Sequence, residues 1–173
     1  ELGFDADNIR YDRWRDRIVV GHGKGALAII DPATRRRTGD LPLPAHPESF
    51  QFDETGNRIF VNLPDAGQIA GLDAVTGKNV TLFEGAGANA NFAMAVDDEA
   101  HRVVILFRSP ARLVSFDTAT GMRQASVETC RDADDVFVDA NRRRVYVSCG
   151  EGAIDVFGRD GQDYAWLARV PTA

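Results

Sequence analysis

The sequence predicts an all-β protein built from four tandem repeats, and two repeating motifs and one missing pattern support this prediction. An aspartate followed five residues later by an arginine and an apolar strand recurs every 41 to 44 residues, at Asp12, Asp53, Asp97 and Asp139. An Asp-x-x-Thr turn keeps the same spacing at Asp31, Asp73 and Asp117. Because no ten-residue stretch has the 3.6-residue apolar period of a capped helix, we expect almost no helix.

The second repeat illustrates the strand pattern of all four. Its expected strands cover residues 49–52, 58–62, 68–72 and 78–83, with turn-forming Gly, Pro, Asp and Asn between them. The first strand alternates polar and apolar side chains, and the second is an apolar run. Each repeat therefore predicts four short antiparallel strands.

Tandem units of four strands and roughly 40–45 residues are typical of β-propeller blades. One blade has two apolar faces that only neighbouring blades can cover, so such repeats must stack. We expect a single β-propeller domain, or part of one, with four four-stranded antiparallel blades over residues 6–45, 46–88, 89–131 and 132–173.

Three kinds of motif recur in the strands and turns of these repeats. They are the strand at Val145-Tyr146-Val147-Ser148, the glycine-rich turn and the strand Ala153-Ile154-Asp155-Val156 that follow it, and the Asp-x-x-Thr-Gly turns that begin at Asp73 and Asp117. Together these motifs resemble the YVTN-type (YncE-like) propeller repeats. The resemblance covers essentially the whole chain. It implies a secreted or periplasmic protein in a group whose roles are mostly uncertain, with lactonase and cytochrome-like relatives.

The number of blades predicts a partner. The resemblance implies a ring of about seven blades, whereas this sequence contains four. We expect that the blades belong to a larger ring, with further blades or a second copy of the chain completing it, and a self-contained four-bladed ring is the least favoured arrangement. Open terminal blades would expose apolar faces and unpaired strand edges.

Charge and hydropathy exclude two classes of partner. The formal net charge is −6 and the pI is near 5.0, which argues against nucleic acid because phosphate binding needs clustered Lys and Arg. No apolar run approaches the ~18 residues of a membrane span, and residues 1–5 lack the features of a signal peptide.

The blade pattern places the candidate binding residues on one face. In each blade the loop entering the first strand and the loop leaving the second lie at the same end of that hairpin, and we call this end the loop face. Loops there are expected to converge near the mouth of the central channel, where a small ligand or protein partner could bind. The candidates are Asp7, Asn8, His22, His46, Glu48, Asn62, Asn91, Arg108, Asp134, Asp135 and Glu151.

Several of these candidate residues could have either of two roles. Asp7, Glu48 and Asp134 occupy equivalent repeat positions and could surround a divalent cation such as calcium, which takes oxygen ligands, or each could cap its own loop or pair with an arginine. His22 and His46 could ligate a metal or exchange protons, or only bond backbone. Arg108 could bind an anionic ligand or pair with an acidic loop.

The two cysteines are expected at the same edge of one hairpin. Cys130 lies in the loop entering the first strand of the fourth blade, and Cys149 lies at the exit of its second strand. A disulfide is favoured over a metal pair, because no Cys-x-x-Cys or clustered Cys/His pattern supplies further soft ligands. The disulfide and the resemblance together predict a periplasmic or secreted protein.

Three functions are compatible with these features. The favoured one is a non-catalytic extracytoplasmic propeller that binds a ligand or protein on the loop face, since no nucleophile elbow, phosphate-binding loop or zinc-protease motif marks a catalytic residue. The second is a metal-dependent, lactonase-like hydrolase using Asp7, Glu48, Asn62, Asn91 and Asp134. The third is a redox accessory protein in which His22 or His46 approaches a cofactor.

Overall fold

The computed structural model describes residues 2, 5–83, 89–161 and 163–172. These residues form sixteen β-strands and one short 3-10 turn, Pro64–Ala66. The strands make four sheets, each with four consecutive antiparallel strands in chain order. This all-β arrangement is the one that the sequence predicted. No helix among the described residues has the length and apolar character needed to cross a membrane.

The chain divides into two compact units, Glu1–Leu82 and Phe83–Ala173. The first sheet of the first unit contains β1 (Ala6–Asp12), β2 (Arg17–His22), β3 (Ala26–Asp31) and β4 (Arg36–Pro42). Its second sheet contains β5 (Ser49–Phe52), β6 (Arg58–Leu63), β7 (Gln68–Asp73) and β8 (Asn79–Leu82). We call these sheets blades 1 and 2.

The second unit repeats the arrangement in blades 3 and 4. Blade 3 contains β9 (Asn89–Asp97), β10 (Arg102–Ser109), β11 (Ala111–Asp117) and β12 (Arg123–Glu128). Blade 4 contains β13 (Ala133–Asp139), β14 (Arg144–Cys149), β15 (Ala153–Asp160) and β16 (Asp163–Pro171).

The repeated Asp-x-x-Thr motif closes the turn after the third strand. Asp73 Oδ1 accepts hydrogen bonds from the backbone N–H of Thr76 at 2.7 Å and from its hydroxyl at 2.7 Å. Asp31 and Asp117 make the same pair of bonds with the threonine three residues on. These bonds favour the ionised carboxylate and lower the pKa of Asp73. The repeat therefore reflects a turn that three of the four blades share.

Each unit has its own apolar core between its two sheets. In the first unit, Val19 and Leu27 of blade 1 pack with Phe50, Ile59 and Val61 of blade 2, and all five are buried. In the second unit, the core contains buried residues of both blades, including Val104, Leu106 and Leu113 from blade 3 and Val145, Val147 and Phe157 from blade 4. Alternation along each strand gives one side chain in two to this core.

Candidate functional site

A histidine fixes the loop that enters blade 2. His46 lies between β4 and β5, and its Nδ1 is 2.6 Å from the carbonyl oxygen of Gly23 and 3.6 Å from Asp5 Oδ2. The contact with a carbonyl means that Nδ1 carries the proton and donates it. His46 thus ties the exit of β2 to the entry of β5, which is the backbone-bonding alternative for this residue.

An asparagine joins the entry loops of blades 1 and 2. Asn8 lies in a β-bulge where β1 shifts register against β2, and its φ of 48° is one that asparagine adopts more readily than most residues. Its side-chain amide donates to the carbonyl oxygen of Glu48. Its backbone N–H donates to Asp7 Oδ1 at 2.7 Å. Asp7, Asn8 and Glu48 are therefore brought together within the first unit.

Glu48 is a partly buried carboxylate of the loop face. Burial raises the pKa of its carboxyl group, and the negative charges of Asp7, Asp65 and Asp5 raise it further, while His46 acts in the opposite direction. The Glu48 backbone N–H donates to the carbonyl oxygen of Asn62 at 3.1 Å. The first unit thus has a half-buried carboxylate among other carboxylates, held in place through its own backbone.

His22 and Asn62 are buried at the ends of their strands. His22 Nε2 lies 3.4 Å from Asp40 Oδ1, and Asp40 is also held by Arg37. Asn62 is fully buried and its side-chain amide donates to Ser49 Oγ at 3.0 Å. His22 thus contacts β4 of its own blade, and Asn62 joins β6 to the neighbouring β5.

Arg108 links the two blades of the second unit. Its guanidinium donates to the carbonyl oxygen of Ala133 from Nε at 3.1 Å and from Nη2 at 3.0 Å, and it contacts Asp134 Oδ1 at 2.8 Å. The guanidinium carbon lies 4.6 Å from the centre of the Phe92 ring. Of the two roles considered for Arg108, the structure therefore shows the ion pair with an acidic loop.

The remaining loop-face candidates of the second unit are more exposed. Asp135 accepts a hydrogen bond from the Val136 N–H at 2.8 Å, and Glu151 pairs with Arg169 at 3.0 Å. Asn91 lies in β9, but its side chain is outside the described residues. The register of β13 against β14 shifts between Ala133 and Asp135, which places a bulge at Asp134 like the one at Asn8.

The predicted disulfide between Cys130 and Cys149 is present, with both residues buried. Asp155 lies beside it, and the donor atoms of these three side chains are within 4.8 Å of one another, the one such cluster of His, Cys, Asp and Glu that the described residues form. The sulfur atoms are bonded to each other, so they do not act as thiolate ligands in this state.

The three carboxylates considered as ligands of a divalent cation lie in different units. Asp7 and Glu48 belong to the first unit, and Asp134 belongs to the second.

Sequence reasoning missed Asp155 as a buried charge. Its carboxylate accepts bonds from Arg169 Nε at 2.7 Å and Nη2 at 3.0 Å, from the Thr129 hydroxyl at 3.1 Å and from the Cys130 N–H at 3.0 Å. Burial alone would raise the pKa of Asp155, but these partners outweigh it and the net shift is downward. The available signal was a carboxylate at a repeat position where the other blades have Ala28, Ala70 and Val114.

A cavity of about 510 Å³ lies beside this charge, between the outer strands of blades 3 and 4. It is lined by Val127, Glu128, Thr129, Asp155, Trp166 and Arg169. Asp155 and Arg169 bind each other, so its strongest charges already compensate one another.

Comparison with known proteins identifies the fold. No protein-family model matches the sequence, and no curated protein sequence matches it. A chain of the mitotic checkpoint complex superimposes with a TM-score of 0.76 and 11% identity, over 97% of this chain and 53% of that one. A candidate 6-phosphogluconolactonase from Bacteroides fragilis gives a TM-score of 0.82 and 11% identity, over 96% of this chain and 55% of that one.

These neighbours are β-propellers, so the predicted fold class is confirmed. At 11% identity the likeness concerns the fold alone. This chain spans about half the length of each of these two solved structures. One neighbour belongs to a protein assembly and the other carries the name of an enzyme, so the fold is compatible with either class of function.

Proposed function

We propose that this protein is a non-catalytic binding protein whose loop face recognises a partner carrying positive charge, either a small cationic ligand or a basic protein segment. The observation that carries this proposal is the state of Glu48. Glu48 is a half-buried carboxylate, and the negative charges of Asp5, Asp7 and Asp65 help to raise its pKa. A cation that approaches this group favours the charged carboxylate and offsets the repulsion from these neighbours.

The loops around Glu48 are suited to recognition because they are held in one conformation. His46 bonds Gly23, the Asn8 amide bonds the Glu48 carbonyl, and Glu48 itself bonds Asn62 through its backbone. A preorganised surface loses less entropy on binding than a mobile one. The proposal therefore joins a fixed shape with a negative potential.

The two catalytic alternatives have less support from the geometry. Asn62, a ligand in the hydrolase hypothesis, is fully buried and donates to Ser49. His22 is buried against Asp40, and His46 uses its Nδ1 proton on a backbone carbonyl, so neither is presented to a cofactor by these contacts. The cation proposed at Asp7, Glu48 and Asp134 remains a hypothesis that metal titration would test.

The cellular location and the family that we propose for this protein rest on features outside the loop face. The disulfide supports an oxidising compartment such as the periplasm or the extracellular space. The strand at Tyr146-Val147-Ser148 and the Asp-x-x-Thr-Gly turns support a place among YVTN-type propeller proteins. We include both in the proposal.

Calorimetric titration with a hexalysine peptide tests the binding proposal. We expect binding that weakens as salt rises, because the attraction is electrostatic. The double variant Glu48→Gln with Asp7→Asn should bind about tenfold more weakly, a difference of about 1.4 kcal/mol, because two charges are removed while the hydrogen-bonding shape is kept.

The matched control is Asp163→Asn. Asp163 is an exposed carboxylate at the start of β16, at the end of blade 4 opposite the loop face. The proposal expects this variant to bind like the wild type. It fails if hexalysine does not bind, or if Asp163→Asn weakens binding as much as the loop-face double variant.

A further inference from the structure

We propose that the second unit holds a separate anion-binding pocket, which takes a small molecule through a doubly charged oxyanion such as a phosphate monoester. The pocket lies on the loop face, between the β10–β11 turn of blade 3 and the loop that leads from β12 to β13 of blade 4. All of its lining residues belong to one unit. This inference does not depend on the binding of cations proposed near Glu48.

Three arginines line this pocket, which has a volume of about 380 Å³. They are Arg108, Arg112 and Arg131, and Glu128 is the one carboxylate among the described lining residues. The lining therefore has an excess of two positive charges, although the whole chain has a net charge of −6. A concave surface lined by charges of one sign attracts ligands of the opposite sign.

Arg131 has the most capacity left for a ligand. Its side chain is exposed, and it makes no hydrogen bond or ion pair with any residue that the structure describes. The preceding residue, Cys130, is bonded to Cys149, and its backbone N–H donates to the buried carboxylate of Asp155 at 3.0 Å. The backbone beside Arg131 is thus fixed while its guanidinium donors remain available.

Arg112 is only weakly engaged within the protein. Its Nη1 donates to Ser126 Oγ at 3.3 Å, and its Nη2 lies 3.8 Å from Glu128 Oε1, which is too far for a hydrogen bond. The Glu128 side chain is 87% exposed, so water screens this ion pair and the pair contributes little. An anion that enters the pocket can therefore take the place of Glu128 at little cost.

Arg108 is held in place by the acidic loop of blade 4. Its Nε and Nη2 donate to the carbonyl oxygen of Ala133, and Nη2 also contacts Asp134 at 2.8 Å and lies 3.9 Å from Asp132. Its Nη1 makes no hydrogen bond with the part of the chain that the structure describes. Asp134 thus positions Arg108, which adds a fixed pair of N–H donors to the pocket wall.

The chemistry of this lining favours a dianion over a monoanion. Guanidinium groups bind phosphate and carboxylate through paired N–H donors. A phosphate monoester carries about −1.5 to −2 charges at pH 7 and offers three acceptor oxygens, so it suits the excess charge and can engage several arginines at once. The volume of 380 Å³ lies within the range of roughly 300–1,000 Å³ typical of small-molecule sites, which leaves room for the organic part of the ligand.

Calorimetric titration with phenyl phosphate tests this inference. We expect the wild-type protein to bind it, and benzoate, which has the same ring but a single charge, to bind about tenfold more weakly. The double variant Arg112→Gln with Arg131→Gln should also bind phenyl phosphate about tenfold more weakly. The matched control is Arg143→Gln with Arg144→Gln, two exposed arginines where β14 begins, at the opposite end of blade 4, and it should bind like the wild type.

A further variant is expected to increase the affinity. Glu128→Gln removes the carboxylate of the lining and keeps the arginines, so it should bind phenyl phosphate about threefold more tightly, a gain that an unfolded variant would not give. Circular dichroism confirms that each variant is folded. The inference is wrong if the wild-type protein does not bind phenyl phosphate, or if benzoate binds as tightly. It is also wrong if the control variant loses as much affinity as Arg112→Gln with Arg131→Gln, or if Glu128→Gln weakens binding.

Discussion

At the scale of single residues, burial and neighbouring negative charges both disfavour the ionised carboxylate of Glu48. Burial is the largest cause of its raised pKa, and the neighbouring Asp7 adds to it. The folded protein therefore holds the Glu48 proton more tightly than the unfolded chain does. Stability from this group is complete below the unfolded value of 4.5 and falls as the pH rises through the folded pKa.

The variant Glu48→Gln tests this sign. Glutamine resembles the protonated acid, so the variant should have a larger free energy of unfolding than the wild type at pH 7, and the difference should vanish below about pH 4.5. Urea unfolding at several pH values measures it. Asp139→Asn is the opposing control, because a hydrogen bond from Arg142 lowers the pKa of Asp139 and the substitution should destabilise at pH 7. Equal stabilities of Glu48→Gln and wild type at pH 7 would contradict the account.

The recurring charged residues show how far sequence reasoning reached. Arg17 and Arg58 pair with the aspartates of their own repeats. In blade 3, however, Arg102 pairs with Asp117, and Asp97 instead receives Arg159 and the Tyr164 hydroxyl from blade 4. This exchange depends on Arg159 standing where the fourth repeat lacks its Asp-x-x-Thr turn, and a contact between blades has no local sequence signal.

At the scale of elements, the loop face is shaped by bulges and by the hairpin disulfide. The first strands of blades 1 and 4 shift register at their loop-face ends. The alternation of side chains predicted these strands, but a bulge depends on how a strand pairs with its neighbour. The position of the two cysteines did predict their bond, since both follow from hairpin geometry.

Removing the disulfide tests its contribution to blade 4. Cys130 and Cys149 are 19 residues apart, and closing a loop of this length stabilises a folded protein by about 3 kcal/mol. The double variant Cys130→Ala with Cys149→Ala should lose about that much in guanidinium unfolding. Wild-type protein in excess reductant should give the same midpoint as the variant. An unchanged midpoint for the variant would show that the bond does not constrain the unfolded chain.

At the scale of the whole molecule, the repeats explain what is buried within each unit. Apolar residues of one blade pack against apolar residues of the other, and they occupy repeated positions. The apolar pattern of the sequence predicted these blades. It does not identify what a blade contacts beyond its own unit, because an apolar face carries no signal for a particular partner.

The most direct measurement of this account is the calorimetric titration with hexalysine of the wild-type protein and of the double variant Glu48→Gln with Asp7→Asn. The account predicts that the wild type binds and that the double variant binds about tenfold more weakly. Equal affinities of the wild type and the double variant would contradict the account.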